Sequence, residues 1–306
     1  MIASIGELLV EFVCVDKDLH HLTPAPYIGP FPSGAPGIFI DQAARIAGRA
    51  MFAGAVGDDA FGQVLLDRLR NAGVRDDLIR VVPGVPTGTA HVAYNSDGSR
   101  EFVFNIAGSA AGHLPQAFAA MLRAGVTCLH ISGSTLGDPG MRAVALALCQ
   151  ALRAQGVTIS IDPNIRTELL RDAGYLQAVR AIIDMAAYVL PSDVDADALW
   201  PGQPFDRWAR GLTGAKAVVL KRGNKGCMAL DETVISLPAH PVTVIDPTGA
   251  GDCFCATFVA LMEAGHGLTF ALTHANAAGA LAVSKLGPME GNSDLPTIQT
   301  FLAGAA

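Results

Sequence analysis

The chain lacks any block of lysine and arginine, and only 16% of its 306 residues are charged. With a net charge of −7 and a pI near 5.5, it has no basic surface for nucleic acid or for an anionic membrane. It also lacks CxxC pairs. Six cysteines are scattered along it, with no histidine at zinc-ligand spacing beside them, which predicts reduced, mostly buried thiols in a cytoplasmic protein. The opening stretch MIASIGELLVEF has no basic region or small-residue cleavage site, so it reads as a strand and not as a signal peptide. The apolar stretch 256–283 is broken by Glu263, His266, His274 and Asn276 before it reaches membrane-spanning length. No fixed-period repeat and no low-complexity linker divides the chain.

About half of the residues are hydrophobic, ample for a well-buried core. Short apolar runs (ASIGELLVEF, AMFAGAVG, TCLHISG, GVTISIDP, AAYVLPS, AVVLKRG, VTVIDPT) alternate with amphipathic stretches such as GMRAVALALCQALRAQG. That alternation predicts an α/β fold with a mostly parallel sheet covered by helices on both faces. One region breaks the rhythm. HVAYNSDGSREFVF, 91–104, alternates apolar and polar residues about Asp97-Gly98, a hairpin pattern. With the Pro- and His-rich stretch 13–32 it forms either a small antiparallel flap or a surface hairpin without a role. The expected division is a core of 1–12, 33–87 and 107–306 and a β lid of 13–32 and 88–106.

The stretch VTVIDPTGAGDCFCATF reads as a strand, a glycine turn and a helix. Gly249 and Gly251 let the backbone approach a ligand, and the free N–H groups at the helix start favour an anion. A dinucleotide site is the rival reading, but the stretch gives GxGxxF and lies far from the first strand. No GxxxxGK[ST] occurs. A nicotinamide-dependent oxidoreductase is therefore disfavoured. Asp252 beside an anion loop makes sense if the bound anion is attacked. Phosphoryl transfer needs charge neutralised on the transferring group, and an acceptor for the alcohol's proton. The amides of Gly249, Ala250 and Gly251 supply the first and Asp252 the second, with the helix dipole predicted to keep Asp252 ionised. An N-capping aspartate is the alternative for an isolated GAGD.

Taken together, GELLVEF, SGAPGIFIDQAARIAG, AGAVGDDAFG, HISGS, DPNIR, KRGNKG, DPTGAGDCF and THANAAGALAVSKLG resemble, in order and over nearly the whole chain, the ribokinase-like (PfkB) sugar kinases. The ketodeoxygluconate kinase and tagatose kinase-like subgroup is the nearest in pattern. The resemblance implies Asp252 as catalytic base and the 249–251 amides as anion hole. It implies a monovalent cation, K+, near Asp246 and Thr248, and ATP near Ser192, Lys221, Gly223, Gly226 and Asn276. Asn276 can also be a packed polar residue. Sugar contacts fall at Glu11, Gly34, Asn105 and Arg166. The lid would cover the sugar and pair two subunits into a homodimer.

Several positions depart from the family pattern. Ile38 stands where an asparagine usually contacts substrate; Asp41, one helical turn on, can replace it or be a solvated or capping residue. The NxxE motif tied to Mg2+ appears as Ser192 to Asp195, with Asp195 left to order metal-bound water. In FNIAGSAAG, Asn105 and Ile106 replace a tyrosine and an arginine that read sugar acids. Losing that guanidinium favours a neutral sugar such as tagatose or fructose over 2-keto-3-deoxygluconate. A non-catalytic sugar-binding protein on the kinase fold is the reading from another class.

Overall fold

The computed structural model describes residues 1–97 and 99–304. Gly98 lies outside the described residues, and so does its part of the Asp97-Gly98 turn. Thirteen strands run through them. The first seven are β1 (Ile2–Ile5), β2 (Leu9–Cys14), β3 (Tyr27–Ser33), β4 (Ala50–Gly57), β5 (Val74–Val82), β6 (Gly88–Tyr94) and β7 (Arg100–Asn105). The rest are β8 (Cys128–Ser132), β9 (Thr158–Asp162), β10 (Tyr188–Val189), β11 (Ala217–Lys221), β12 (Cys227–Leu230) and β13 (Val234–Leu237). Ten helices accompany them: α1 (Ala35–Ala47), α2 (Ala60–Asn71), α3 (Phe118–Arg123), α4 (Pro139–Arg153) and α5 (Ala173–Ile183), then α6 (Asp193–Leu199), α7 (Phe205–Gly211), α8 (Ala250–Glu263), α9 (Leu268–Ala282) and α10 (Leu295–Gly304).

Nine strands form one sheet in the order β13-β12-β11-β10-β9-β8-β1-β4-β5. From β11 to β5 all neighbours are parallel; β12 and β13 add on antiparallel. Side-chain alternation sends successive residues to opposite faces. On one face Ile2, Ala50 and Phe52 meet Phe39 of α1 and Phe258 of α8. On the other Ala3, Ile5, Met51 and Ala53 meet Met121, Leu148 and Tyr175 from α3, α4 and α5. Both faces are therefore covered, as the near-continuous apolar strands predict. No helix among the described residues is long and apolar enough to cross a membrane.

A second, four-stranded sheet has the order β3-β2-β6-β7. The predicted hairpin is present, with Tyr94 opposite Arg100 and Ala90 opposite Phe104. Two expectations need correcting. ASIGELLVEF is not one strand: at Gly6, whose φ of 152° has no room for a Cβ, the chain leaves the large sheet, and β2 joins the small one. The second sheet thus begins at Leu9, not at residue 13. VTVID is not a strand either. Ile245 and Asp246 donate their amides to the Val283 carbonyl at the end of α9, and Val244 and Ile245 are exposed.

Candidate active site

The C-terminal ends of the parallel strands face the small sheet across a cavity of about 960 Å3, the usual place for a ligand in an open α/β sheet. The anion loop sits at its middle. Gly249 has φ 82° and caps α8, and a Cβ there would come within 2.4 Å of the Pro288 carbonyl. Only glycine permits this turn. Ala250 and Gly251 begin α8, so their amides have no partner within the helix and border the cavity.

Asp252, in the first turn of α8, also lines the cavity and makes no hydrogen bond or ion pair among the described residues. Its carboxyl is pushed up to about 7, first by burial and then by the Asp162 carboxylate, against the pull of Lys221 and Arg166. The helix dipole therefore does not keep it firmly ionised, as the sequence suggested; desolvation wins. The result suits a general base better, because its pKa then lies close to working pH. Lys221, at the end of β11, is nearly buried and ion-paired with Asp162 from β9. Burial lowers its pKa, but the carboxylates of Asp162 and Asp195 raise it by more; the Cys255 sulfur lies 3.3 Å from its nitrogen. The ammonium group stands against the Gly251 backbone, a fixed positive charge beside the anion loop.

At one end of the cavity lie the residues expected to hold a sugar. Glu11 on β2 is 2% exposed; its Oε2 accepts from Ser33 Oγ at 3.2 Å, while Oε1 has no partner. Burial first, then Asp246, pushes its carboxyl up to about 7. A buried oxygen left bare on a cavity wall calls for a ligand group. Gly34 turns the chain into α1 with φ 103°, and a Cβ would strike the Glu7 carbonyl. The Arg166 side chain borders the cavity with no hydrogen bond or ion pair among the described residues.

Two residues assigned to the sugar are elsewhere. Asp41 is fully buried, takes Arg45 and Arg68 at 2.7 and 2.8 Å, and accepts from Asn292 Nδ2 at 2.7 Å. Ile38 faces the cavity, but Asp41 is enclosed behind it. Asn105 lies on the outer face of the small sheet. Arg100, Phe102 and Phe104 point into the cavity, so the strand's alternation turns Asn105 away, where it donates to Thr89 Oγ1.

The other end suits a nucleotide. Gly223 and Gly226, both with positive φ, Asn276 and the apolar Pro241, Val242, Val244 and Val283 line it. A Cβ on Gly226 would come within 2.0 Å of the Leu237 carbonyl. Asn276 donates to the Pro238 carbonyl at 3.3 Å, which fixes its amide at the rim. Ser192 and Asp195 form a capping box at the start of α6.

A family model described as "pfkB family carbohydrate kinase" matches residues 1–295. The chain belongs to that family. It is 30% identical to "Probable fructokinase-3" of Arabidopsis thaliana, over 94% of this chain and 87% of the relative. A "putative Ribokinase II" from E. coli is similar in structure, at 36% identity over 99% of both chains. The TM-score is 0.94 for its apo form and 0.92 for its complex with ATP and Mg2+. The chain is thus a sugar kinase with the ribokinase-like fold.

For this kinase, the residues offered to metals are more enclosed than the sequence implied. Asp195 is 2% exposed. Its Oδ1 accepts from Ile165 N and its Oδ2 from Ser192 N and Oγ, so it braces the loop after β9 to α6 while it lines the cavity. Among the described residues no group of three His, Cys, Asp or Glu can hold a metal ion. Asp246 is fully buried. Its Oδ1 accepts from Tyr94 OH and Thr248 N, its Oδ2 from Gly287 N at 3.0 Å, and one lone pair of Oδ2 remains for a cation. Thr248 Oγ1 is engaged by Tyr94 and Arg100.

The sequence also missed parts of the site. Glu7, from GELLVEF, is buried on the cavity wall and accepts from Ser134 Oγ at 2.6 Å and Thr135 Oγ1 at 2.9 Å. Nothing in its spacing distinguishes it from a strand-end charge. Arg100 was findable, because it alternates with Phe102 and Phe104 on one face of β7.

Proposed function

We propose that the kinase transfers the γ-phosphate of ATP, bound as its Mg2+ complex, to a hydroxyl of a neutral ketohexose such as fructose or tagatose. The observation that carries this reading is the placement of unsatisfied groups. Donor amides at Gly249–Gly251, the bare Asp252 carboxyl and the partnerless Glu11 Oε1 all meet in one cavity. ATP extends from the Gly223, Gly226 and Asn276 end, with Ser192 at its phosphates. Magnesium enters on the nucleotide. The sugar lies against Glu11, Gly34 and Arg166 under the small sheet, which serves as the lid.

In the reaction, the 249–251 amides and the Lys221 ammonium stabilise charge on the transferring group where water is excluded. Asp252 accepts the proton from the sugar hydroxyl as its oxygen bonds to phosphorus. Potassium at the free lone pair of Asp246 Oδ2 would add positive charge behind the same loop. The exposed Val15, Ile28 and Val103 on the lid strands and loop suit a homodimer formed through the lid, and the acidic chain suits a cytoplasmic setting.

Ile106, on the cavity wall where the arginine that reads a sugar acid is expected, favours a neutral sugar. The unpartnered Arg166 guanidinium favours a second reading, a sugar acid such as 2-keto-3-deoxygluconate. A panel of ketohexoses, aldoses and sugar acids, followed by ADP release with Mg2+ with and without K+, decides. Ketohexoses should be turned over best. Strong preference for a sugar acid would replace the first reading by the second, and no sugar-dependent ADP release would leave a sugar-binding protein.

A further inference from the structure

The tip of the lid hairpin touches the catalytic loop directly. Tyr94 ends β6 and Arg100 begins β7, and they stand opposite each other in the ladder. The Tyr94 hydroxyl donates to Asp246 Oδ1 at 2.5 Å and lies 3.1 Å from Thr248 Oγ1. A guanidinium nitrogen of Arg100 donates to the same Thr248 hydroxyl at 3.1 Å. Asp246 Oδ1 is also the acceptor for the Thr248 amide at 2.9 Å. One buried oxygen therefore holds both the lid and the first residue of the turn that aims the Gly249–Gly251 amides.

We propose that Tyr94 and Arg100 are positioning residues which latch the closed lid onto the Asp246–Thr248 segment, so that covering the sugar and setting the anion loop are one event. Three physical facts support this. The carboxylate is fully buried, so losing the Tyr94 donor leaves an under-satisfied acceptor that a neighbouring group must compensate. The segment belongs to no strand, so no sheet ladder holds it; apart from these contacts it hangs on the amides bonded to Val283 O and on Gly287 N. The lid residues come from the other sheet, and Arg100 and Thr248 both line the cavity where they meet. Coupling of this kind favours transfer over hydrolysis, because an open lid then also means a loosened anion hole.

The test is amide hydrogen exchange on the free, full-length protein, read for the peptide covering residues 246–252. Tyr94→Phe, which keeps the ring and removes the donor, should speed exchange in that peptide about tenfold while β1 and β8 stay at the parent rate. Arg100→Ala should give a smaller rise and Arg100→Lys should restore protection. Unchanged exchange at 246–252 in Tyr94→Phe overturns the latch, and so does a rise spread equally over β1 and β8, which marks general loosening. Steady-state kinetics add a second reading: Tyr94→Phe should lower kcat about tenfold and raise the ratio of sugar-independent ATP hydrolysis to transfer. The latch rests on the kinase reading but fails separately from it. Absent sugar-dependent turnover in the parent would strike the kinase, whereas unchanged exchange in an active parent strikes the latch alone.

Discussion

Asp252 combines two opposing influences. A helix start lowers a carboxyl's pKa, while burial and a like charge raise it. Here burial and Asp162 prevail, and the group rises from its ordinary value to about 7. The kinetic consequence has a definite sign. Only the ionised form accepts a proton, so kcat/KM for the sugar should climb as pH rises through about 7 and level off above it. Asp252→Asn should lower turnover at least a hundredfold with sugar and ATP binding nearly intact, in line with the ~10²–10⁴-fold worth of a general base. Stability moves the other way. A carboxyl whose folded pKa exceeds its unfolded value binds more protons when folded, so its ionisation costs stability progressively between about pH 4 and 7, and the whole cost is present above that. Thermal unfolding at pH 8 should find Asp252→Asn more stable than the parent by on the order of 1–3 kcal/mol. A base that weakens its own fold, as proposed for Asp252, is a common compromise.

At the scale of elements, much of the fold was legible because strands buried on both faces leave long apolar runs. β4, β8, β9 and β11 fall where the runs predict. The failures have separable causes. β5, VRDDLIRVV, is an edge strand whose exposed charges hide its period, and GELLVEF conceals a change of sheet at Gly6. VTVID has the composition of a strand, but its amides are satisfied by the end of α9. Site residues failed for a related reason. The glycine loop and Asp252 sit on a local motif, whereas Asp41 depends on partners far away in sequence. Asp41 lies one helical turn from Ile38, yet Arg68 of α2 and Asn292 after α9 claim it. That ion-paired aspartate ties α1, α2 and the 287–293 segment behind the anion loop. Asp41→Ala should cost about 3 kcal/mol in urea unfolding, since it leaves Arg45 and Arg68 unpaired. A loss under 0.5 kcal/mol would mean the arginines rehydrate freely and the network carries no stability.

At the scale of the molecule, the two sheets divide the work. The large parallel sheet brings β9, β11 and the start of α8 together, and with them Asp162, Lys221, the anion loop and Asp252. The small sheet supplies Glu11, the apolar Phe102 and Phe104, and the Tyr94 and Arg100 contacts. Neither sheet encloses a reacting centre alone. The catalytic account depends on both meeting at one phosphorus atom. The most direct test is a crystal structure with a non-hydrolysable ATP analogue and the sugar that the panel selects. The account predicts the terminal phosphate on the Gly249–Gly251 amides and a sugar hydroxyl within hydrogen-bond reach of Asp252. A terminal phosphate directed away from the loop, with no hydroxyl able to approach that carboxylate, would contradict it.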